Sequence, residues 1–198
     1  YYIPLTDKWG MTDLGADYVY TGDQQLDFML PNGLKQIVNA SAWGESDNYP
    51  LFTKSEYINV TKKHSIANFV RITLTDLNQD FLTILKEDKS IVLILDTDNE
   101  HAMAEMRRAF YELLGNEITT PVILLRKYPI LSDDKMQLYP ATDCGGLLID
   151  GFGDGICLST ELLPKLSIEE ETTLLKSYNS IAFGILQAAR TRMTKTEY

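Results

Sequence analysis

The sequence predicts an α/β fold: an irregular, TIM-barrel-like (β/α)8 domain, with an open doubly wound parallel sheet as the alternative. Three observations point to that class. Short β-branched and apolar runs recur along the chain with helical stretches between them, as expected of βα units around a mostly parallel sheet. Two of these runs, Ile91-Val-Leu-Ile-Leu-Asp96 and Val122-Ile-Leu-Leu-Arg126, are almost continuously apolar, as strands buried on both faces must be. A length of 198 residues with 44% hydrophobic and 23% charged side chains suits one sizeable core.

Taken in order, strands are expected at residues 18–21, 36–40, 50–53, 69–73, 91–96, 122–126, 147–150 and 156–159. The segment between Ala40 and Pro50 lacks a helical pattern. Asp98 can cap a helix running to about Leu114, in which Ala102, Met103, Met106, Ala109, Phe110, Leu113 and Leu114 share an apolar face and Gly115-Asn116 supplies the stop. Ser167 followed by Glu170 makes a capping box. It opens a long helix with Leu174, Tyr178, Ile181, Ala182, Ile185 and Ala189 on one face. Eight strands within about 140 residues is tight for a barrel that usually takes about 250. Several connections must therefore be short and the barrel irregular, and periodicity fits the open sheet equally.

The charge balance narrows the function. With 28 acidic against 18 basic residues and a net charge of -10, the chain repels phosphate backbones and anionic lipid, so neither nucleic acid nor a membrane is an expected partner. No segment approaches the roughly 20 apolar residues of a spanning helix. The first residues lack the basic start and apolar middle of a signal peptide. The expected location is cytosolic or organellar. Cys144 and Cys157 are too few for a disulfide framework, match no common metal spacing, and read as small buried thiols. Asn39-Ala-Ser41 and Asn59-Val-Thr61 match the glycosylation sequon by chance. A start at Tyr1 without methionine and an end directly after a helix suggest a fragment at both ends.

In barrels and open α/β sheets, chemistry gathers at the carboxyl ends of the strands. Asp96, Asp98 and Glu100 follow the fifth strand and could in principle hold a hard cation. The structural reading is preferred: a strand end, a helix cap and a first-turn acid. The most distinctive segment is Gly145-Gly-Leu-Leu-Ile-Asp-Gly-Phe-Gly-Asp-Gly-Ile-Cys-Leu-Ser159. Gly151, Gly153, Gly155 and Ser159 form a candidate weak phosphate-binding turn. Glycines also serve any tight connection, and no Lys or Arg lies inside the run. His64 and His101 have no evident proton partner and are expected at the surface. No nucleophile elbow, phosphate loop or His-Glu-x-x-His pair is present. No catalytic, cofactor-binding or metal residue is assigned. The competing reading is an independent small barrel enzyme that binds a phosphorylated small molecule at residues 151–159. It would use Asp96 and Asp150 as acid or base, and it requires a carboxylate with a raised pKa.

The run Gly145-Gly-Leu-Leu-Ile-Asp-Gly-Phe-Gly-Asp-Gly155 and the later Ile185-Leu-Gln-Ala-Ala-Arg-Thr-Arg-Met-Thr-Lys-Thr-Glu-Tyr198 resemble the 4-hydroxy-3-methylbut-2-enyl diphosphate synthase family. The likeness is closest to its three-domain form. It is strong over residues 143–198, weaker from about Ser90, and faint before that. The resemblance implies a parent enzyme that reductively opens 2-C-methyl-erythritol 2,4-cyclodiphosphate, with electrons from ferredoxin or flavodoxin passed through a [4Fe-4S] cluster. Such a cluster needs three or four placed ligands, usually thiolates, and Cys144 and Cys157 do not match the family's positions, so no cluster is expected in this chain. Two-domain relatives carry Gly-Asp-Thr-x-Arg-Val-Ser at the last barrel strand, where the arginine and serine hold the substrate diphosphate. Aligned on Gly153-Asp154, the arginine position is Cys157 and the serine position Ser159, so a bidentate ligand is lost.

The resemblance therefore implies the inserted middle domain, a duplicated barrel relieved of chemistry. Residues 1–16 would link it to an upstream catalytic barrel, 17–190 would form the domain, and 191–198 would lead to an iron-sulfur domain. It would act as a spacer holding two halves of an active site, and an exposed apolar or mixed patch is expected, with Trp9, Trp43 and the final helix as the candidates.

Overall fold

The computed structural model describes residues 2–3, 5–6, 8–9, 15–31, 33–45, 47–160 and 167–192. Two short strands near the start, β1 (Tyr2–Ile3) and β2 (Lys8–Trp9), pair antiparallel. Seven further strands form one sheet: β3 (Tyr18–Tyr20), β4 (Lys35–Asn39), β5 (Tyr49–Thr53), β6 (Asn68–Ile72), β7 (Ile91–Leu95), β8 (Val122–Tyr128) and β9 (Gly155–Thr160). All six pairings are parallel, and the strands lie side by side in sequence order. A doubly wound sheet reverses its order at a switch point. This sheet does not, so it is wound in one direction like a barrel. It is a curled half-barrel, with β3 and β9 as its edges.

The elements between the strands are short, as the length requires. A single 3-10 turn, Ala40–Ala42, joins β4 to β5. Thr53 and Glu56 cap each other at the start of α1 (Lys54–Asn59), and Asn78 accepts from the Phe81 amide to start α2 (Gln79–Glu87). The third helix, α3 (Ala102–Gly115), begins later than the sequence suggests, because Asp98 is not its cap. Thr97 Oγ1 accepts from the Asn99 amide, and Asn99 Oδ1 accepts from the His101 amide. These side-chain turns hold residues 97–101 out of the helix. Ser167 and Glu170 do form the expected box at the start of α6 (Ile168–Arg192).

One strand assignment is corrected. Residues 147–150 are not a strand: Gly146–Ile149 is a helical turn, α5, that continues α4 (Asp133–Pro140) through a π-helical turn at Ala141–Gly145. Pro140 has no amide to continue the regular ladder, and the wider turn follows directly after it. Leu147 and Leu148 are buried there against the other helices. A short apolar run reads the same in a buried helix as in a strand.

Strand alternation splits the core into two faces. Phe52, Val70, Ile72, Ile91, Leu93, Leu95, Val122 and Leu124 point to the helices and pack in one cluster with Tyr57, Phe81, Met106, Leu147 and Ile185. A smaller cluster, Tyr128, Met136 and Tyr178, extends it beneath α6. Ile37, Phe69, Ile94 and Leu125 face the opposite, concave side, with Tyr49, Leu51, Val92, Ile123 and Cys157 against them. All the helices that contribute to the main cluster thus cover the same face, as in a barrel wall. Among the described residues no helix is long and apolar enough to cross a membrane.

Candidate functional site

The concave face is graded along the strands. At their amino ends it is closed by aromatic rings: Tyr18 against Phe69 at 5.1 Å, Tyr49 against Phe69 at 6.0 Å, and His64 against Tyr49 at 4.8 Å. Aliphatic side chains fill the middle. At the carboxyl ends, where barrels place their chemistry, it becomes polar.

Three charged residues meet at that mouth. Strand alternation puts Arg71 on the same face as Phe69 and Lys127 on the same face as Leu125, and Asp96 directly follows β7. Arg71 donates to Asp96 Oδ2 through Nε at 2.8 Å and through Nη2. Lys127 Nζ donates to the same oxygen at 2.8 Å. Burial on its own would raise the Asp96 pKa, but the hydrogen bonds and charges of Lys127 and Arg71 outweigh it and hold the carboxyl below its ordinary range. Asp96 Oδ1 is buried without a hydrogen bond. Cys157 lies on the same face, its thiol pushed up by burial and by the Asp96 charge. Ser159 sits beside Lys127 in register across β8 and β9.

The glycine run lies elsewhere. Gly151 and Gly153 precede β9, at the end of the sheet away from the mouth, while Gly155 opens the strand and Ser159 lies near its far end. The four are therefore spread along the strand and do not form one turn. Gly153 has φ of +100°, and a Cβ there would sit 3.1 Å from Leu124 Cγ. Asp154 turns back to β8: its amide donates to the Val122 carbonyl at 2.7 Å and its carboxylate accepts from the Val122 amide at 2.8 Å. Asp150 pairs with Arg107 at 2.5 Å. Asp96 and Asp150 thus stand at opposite ends of the parallel strands and do not converge on one substrate position.

The remaining titratable groups have structural partners. His64 is not a free surface residue. Its Nδ1 accepts from the amides of Ile66 and Ala67, and its ring packs on Tyr49 and near Trp43. His101 occupies the cap position of α3. On the helix side, Arg126 is buried, donates to Asp143 at 3.0 Å and to the Thr97 carbonyl at 2.6 Å, and Tyr128 donates to the same Asp143 oxygen at 2.7 Å. Cys144 lies in this helix-side core, its thiol pushed up to about 12 chiefly by burial. Cys144 and Cys157 are on opposite faces of the sheet, and among the described residues no three His, Cys, Asp or Glu side chains stand close enough to hold a metal. The described residues do not fit an iron-sulfur cluster.

A groove of about 890 Å³ runs between α6 and the α4–α5 segment, lined by Ser177, Ser180, Gly184, Ala188, Gly145 and Ile149 among others. It contains the final helix, one of the places where an exposed patch is expected, and Ile168 and Leu175 of that helix are exposed. Trp43 is half-buried and donates to the Asn48 carbonyl. The side chain of Trp9, residues 1, 4, 7 and 10–14, and the final Thr-Lys-Thr-Glu-Tyr198 lie outside the described residues.

Arg71 and Lys127 are the residues that sequence reasoning missed. The signal was present: each is a cation near the end of an apolar strand, in phase with a core residue two positions earlier.

Comparison with known proteins adds kinship. No protein-family profile and no solved structure matches the chain. The 4-hydroxy-3-methylbut-2-en-1-yl diphosphate synthase (flavodoxin) of Parabacteroides distasonis is 36% identical over 183 residues, 92% of this chain but 28% of that protein. The enzyme of the same name from Phocaeicola vulgatus is 30% identical over 184 residues, again 92% of this chain and 28% of that protein. A chloroplastic 4-hydroxy-3-methylbut-2-en-1-yl diphosphate synthase (ferredoxin) of Arabidopsis thaliana is 30% identical over 122 residues, 59% of this chain and 15% of that protein. The chain thus spans a little over a quarter of the length of the bacterial relatives it matches over most of its own length.

Proposed function

By sequence over nearly its whole length the chain belongs to the 4-hydroxy-3-methylbut-2-en-1-yl diphosphate synthase family, and from that premise we propose that it is the inserted middle domain of such an enzyme, a spacer without chemistry of its own. In this reading residues 17–190 form the domain, 1–16 lead in from the catalytic barrel, and 191–198 lead on to the iron-sulfur domain. The parent converts 2-C-methyl-D-erythritol 2,4-cyclodiphosphate to 4-hydroxy-3-methylbut-2-enyl diphosphate. Its flanking domains supply the substrate site and the [4Fe-4S] cluster, and ferredoxin or flavodoxin supplies electrons. The parent would work in the bacterial cytoplasm, or in a plastid for a plant-type source.

The observation that carries this reading is the state of the strand ends. Where a working barrel would keep a free base or acid, Asp96 is held by two cations below its ordinary range. Where the two-domain relatives place a diphosphate-binding arginine, the chain has Cys157, a thiol held protonated by burial. A general acid or base works best with its pKa near the operating pH, and Asp96 is shifted away from it. A rigid spacer contributes by lowering the entropy of bringing two half-sites together.

The test is turnover of the cyclodiphosphate by the full-length parent, reconstituted with cluster and a one-electron donor. Cys157→Ala, Asp150→Ala and Ser159→Ala are expected to keep near-normal kcat, while deletion of the whole segment abolishes turnover. A large loss of kcat in any folded single variant would show that this domain touches the chemistry.

A further inference from the structure

We infer that the outer edge of β3 is the docking line for one more strand, parallel to β3, which the parent chain supplies from a segment preceding residue 1. The Lys35 amide donates to the Asp17 carbonyl at 2.9 Å, and the Thr21 amide donates to the Ile37 carbonyl at 3.1 Å. The odd-numbered residues along β3 are therefore the ones bonded to β4. In a parallel ladder the alternate residues point their N–H and C=O groups the other way. Those residues are Tyr18 and Tyr20, and among the described residues no strand lies on their side.

Native sheets guard a free edge with proline, charge or a bulge, or else they cover it. Tyr18-Val-Tyr20 contains neither proline nor charge, and its register with Lys35, Gln36 and Ile37 is unbroken. Tyrosine and valine are also strong strand formers, so the edge is a ready template. The side chains at this edge are uncovered as well. Tyr18 packs edge-on against Phe69 and Tyr49 of the concave face, yet it is 42% exposed, and Tyr20 is 53% exposed. Strands of an all-parallel sheet are ordinarily covered on both faces.

Chain order decides the occupant. The seven strands stand side by side in sequence order and all pair parallel. The place beside β3 therefore falls to the strand that precedes it in the chain. A parallel neighbour needs a crossover of about a dozen residues or more. Residues 10–17 are too near β3 to supply it, and β1 and β2 are paired with each other. The relatives have the length to do so, since this chain spans 28% of the Parabacteroides distasonis enzyme. The incoming strand is apolar, because it meets the Tyr18 and Tyr20 rings on one face and continues the helix-covered face on the other. The inference rests on the reading of this chain as a spacer within a longer enzyme and deepens it: a shared sheet, not a bare linker, fixes the domain to what precedes it.

Hydrogen exchange of the full-length parent, resolved to single amides, reads the edge without any variant. The Tyr18 and Tyr20 amides are expected to exchange within about tenfold of the Thr21 amide, which is bonded inside the sheet. Exchange faster than that at Tyr18 and Tyr20 would mean an open edge and would overturn the inference. A photo-crosslinker introduced into the parent as Tyr20→p-benzoylphenylalanine identifies the occupant. Crosslinks into the segment preceding Tyr1 of the same chain are expected. Crosslinks to a second copy, to the segment after Tyr198, or to residues 1–198 alone would overturn it. Neither measurement reads turnover, so an open edge leaves the spacer reading standing, and a loss of kcat in the turnover test leaves the edge result standing.

Discussion

Lys127 Nζ lies 2.8 Å from Asp96 Oδ2, an ion pair that joins β8 to the end of β7, and Arg71 on β6 reaches the same oxygen. One mostly buried carboxylate therefore links three neighbouring strands at the open mouth of a half-barrel. The Asp96 pKa is lower in the folded chain than the ordinary unfolded value of about 3.9. The sign follows: its contribution is fully present above the unfolded value and is lost as pH falls through the folded one. Urea unfolding from pH 7 down to pH 3 should show Asp96→Asn less stable than wild type by about 1–3 kcal/mol at neutral pH. The gap should narrow on acidification from about pH 5 downward. A gap independent of pH would mean that the carboxylate charge contributes nothing.

Behind the sheet, Asp143 receives Arg126 and Tyr128 together. Arg126 is buried, so removing its counter-charge leaves a cation with the Thr97 carbonyl and the Tyr128 ring but no carboxylate. Asp143→Ala should cost about 3–5 kcal/mol, the usual penalty for breaking a buried pair from one side. Asp143→Asn, which keeps an acceptor, should cost less. Because Asp143 lies in the π-helical turn, the loss should also raise hydrogen exchange in residues 141–149.

How far this arrangement could be read in advance depended on whether a signal was local. The runs that became β7 and β8 are apolar on both faces and identify themselves as buried strands. The Ser167 and Glu170 box is likewise local, and it stands where it was expected. Leu147 and Leu148 failed as a strand because a run of three apolar residues fits either element, and because Pro140 concealed the helix leading into them. Asp98 failed as a cap because Thr97 and Asn99 compete for the same amides. The mouth was legible only in part. Asp96 is recognisable as a strand end, but its partners Arg71 and Lys127 are 25 and 31 residues away in sequence. Only the parallel order of β6, β7 and β8 brings them together.

Two glycines make opposite predictions from the same substitution. Gly153 has positive φ, and an added Cβ would press on Leu124, so Gly153→Ala should destabilise by about 1–3 kcal/mol. Gly184 lies inside the 25-residue α6, and an added Cβ there meets nothing within 4 Å. Gly184→Ala should stabilise the chain by about 0.5–1 kcal/mol through helix propensity alone. Thermal or urea midpoints measured side by side check both signs. A neutral Gly153→Ala would show that the connection before β9 can relax away from Leu124.

The cysteines test the absence of a reactive or cluster-binding thiol. Thiolate, the species that reacts with alkylating agents and binds iron, is scarce at pH 8 when the pKa lies well above it. Burial pushes Cys144 up to about 12 and raises Cys157 as well, the latter reinforced by the nearby Asp96 carboxylate. In the native chain both should therefore alkylate with iodoacetamide at least about a hundredfold more slowly than in urea, Cys144 the slower of the two because it is completely buried in the helix-side core. Asp96→Asn should speed Cys157 selectively by removing the neighbouring negative charge, with Cys144 unchanged on the far side of the sheet. Site-resolved mass spectrometry of the time course reads all of these rates. Rapid native labelling of Cys157 would show that the concave face opens to solvent far more than its burial implies, and it would restore that thiol as a candidate for chemistry.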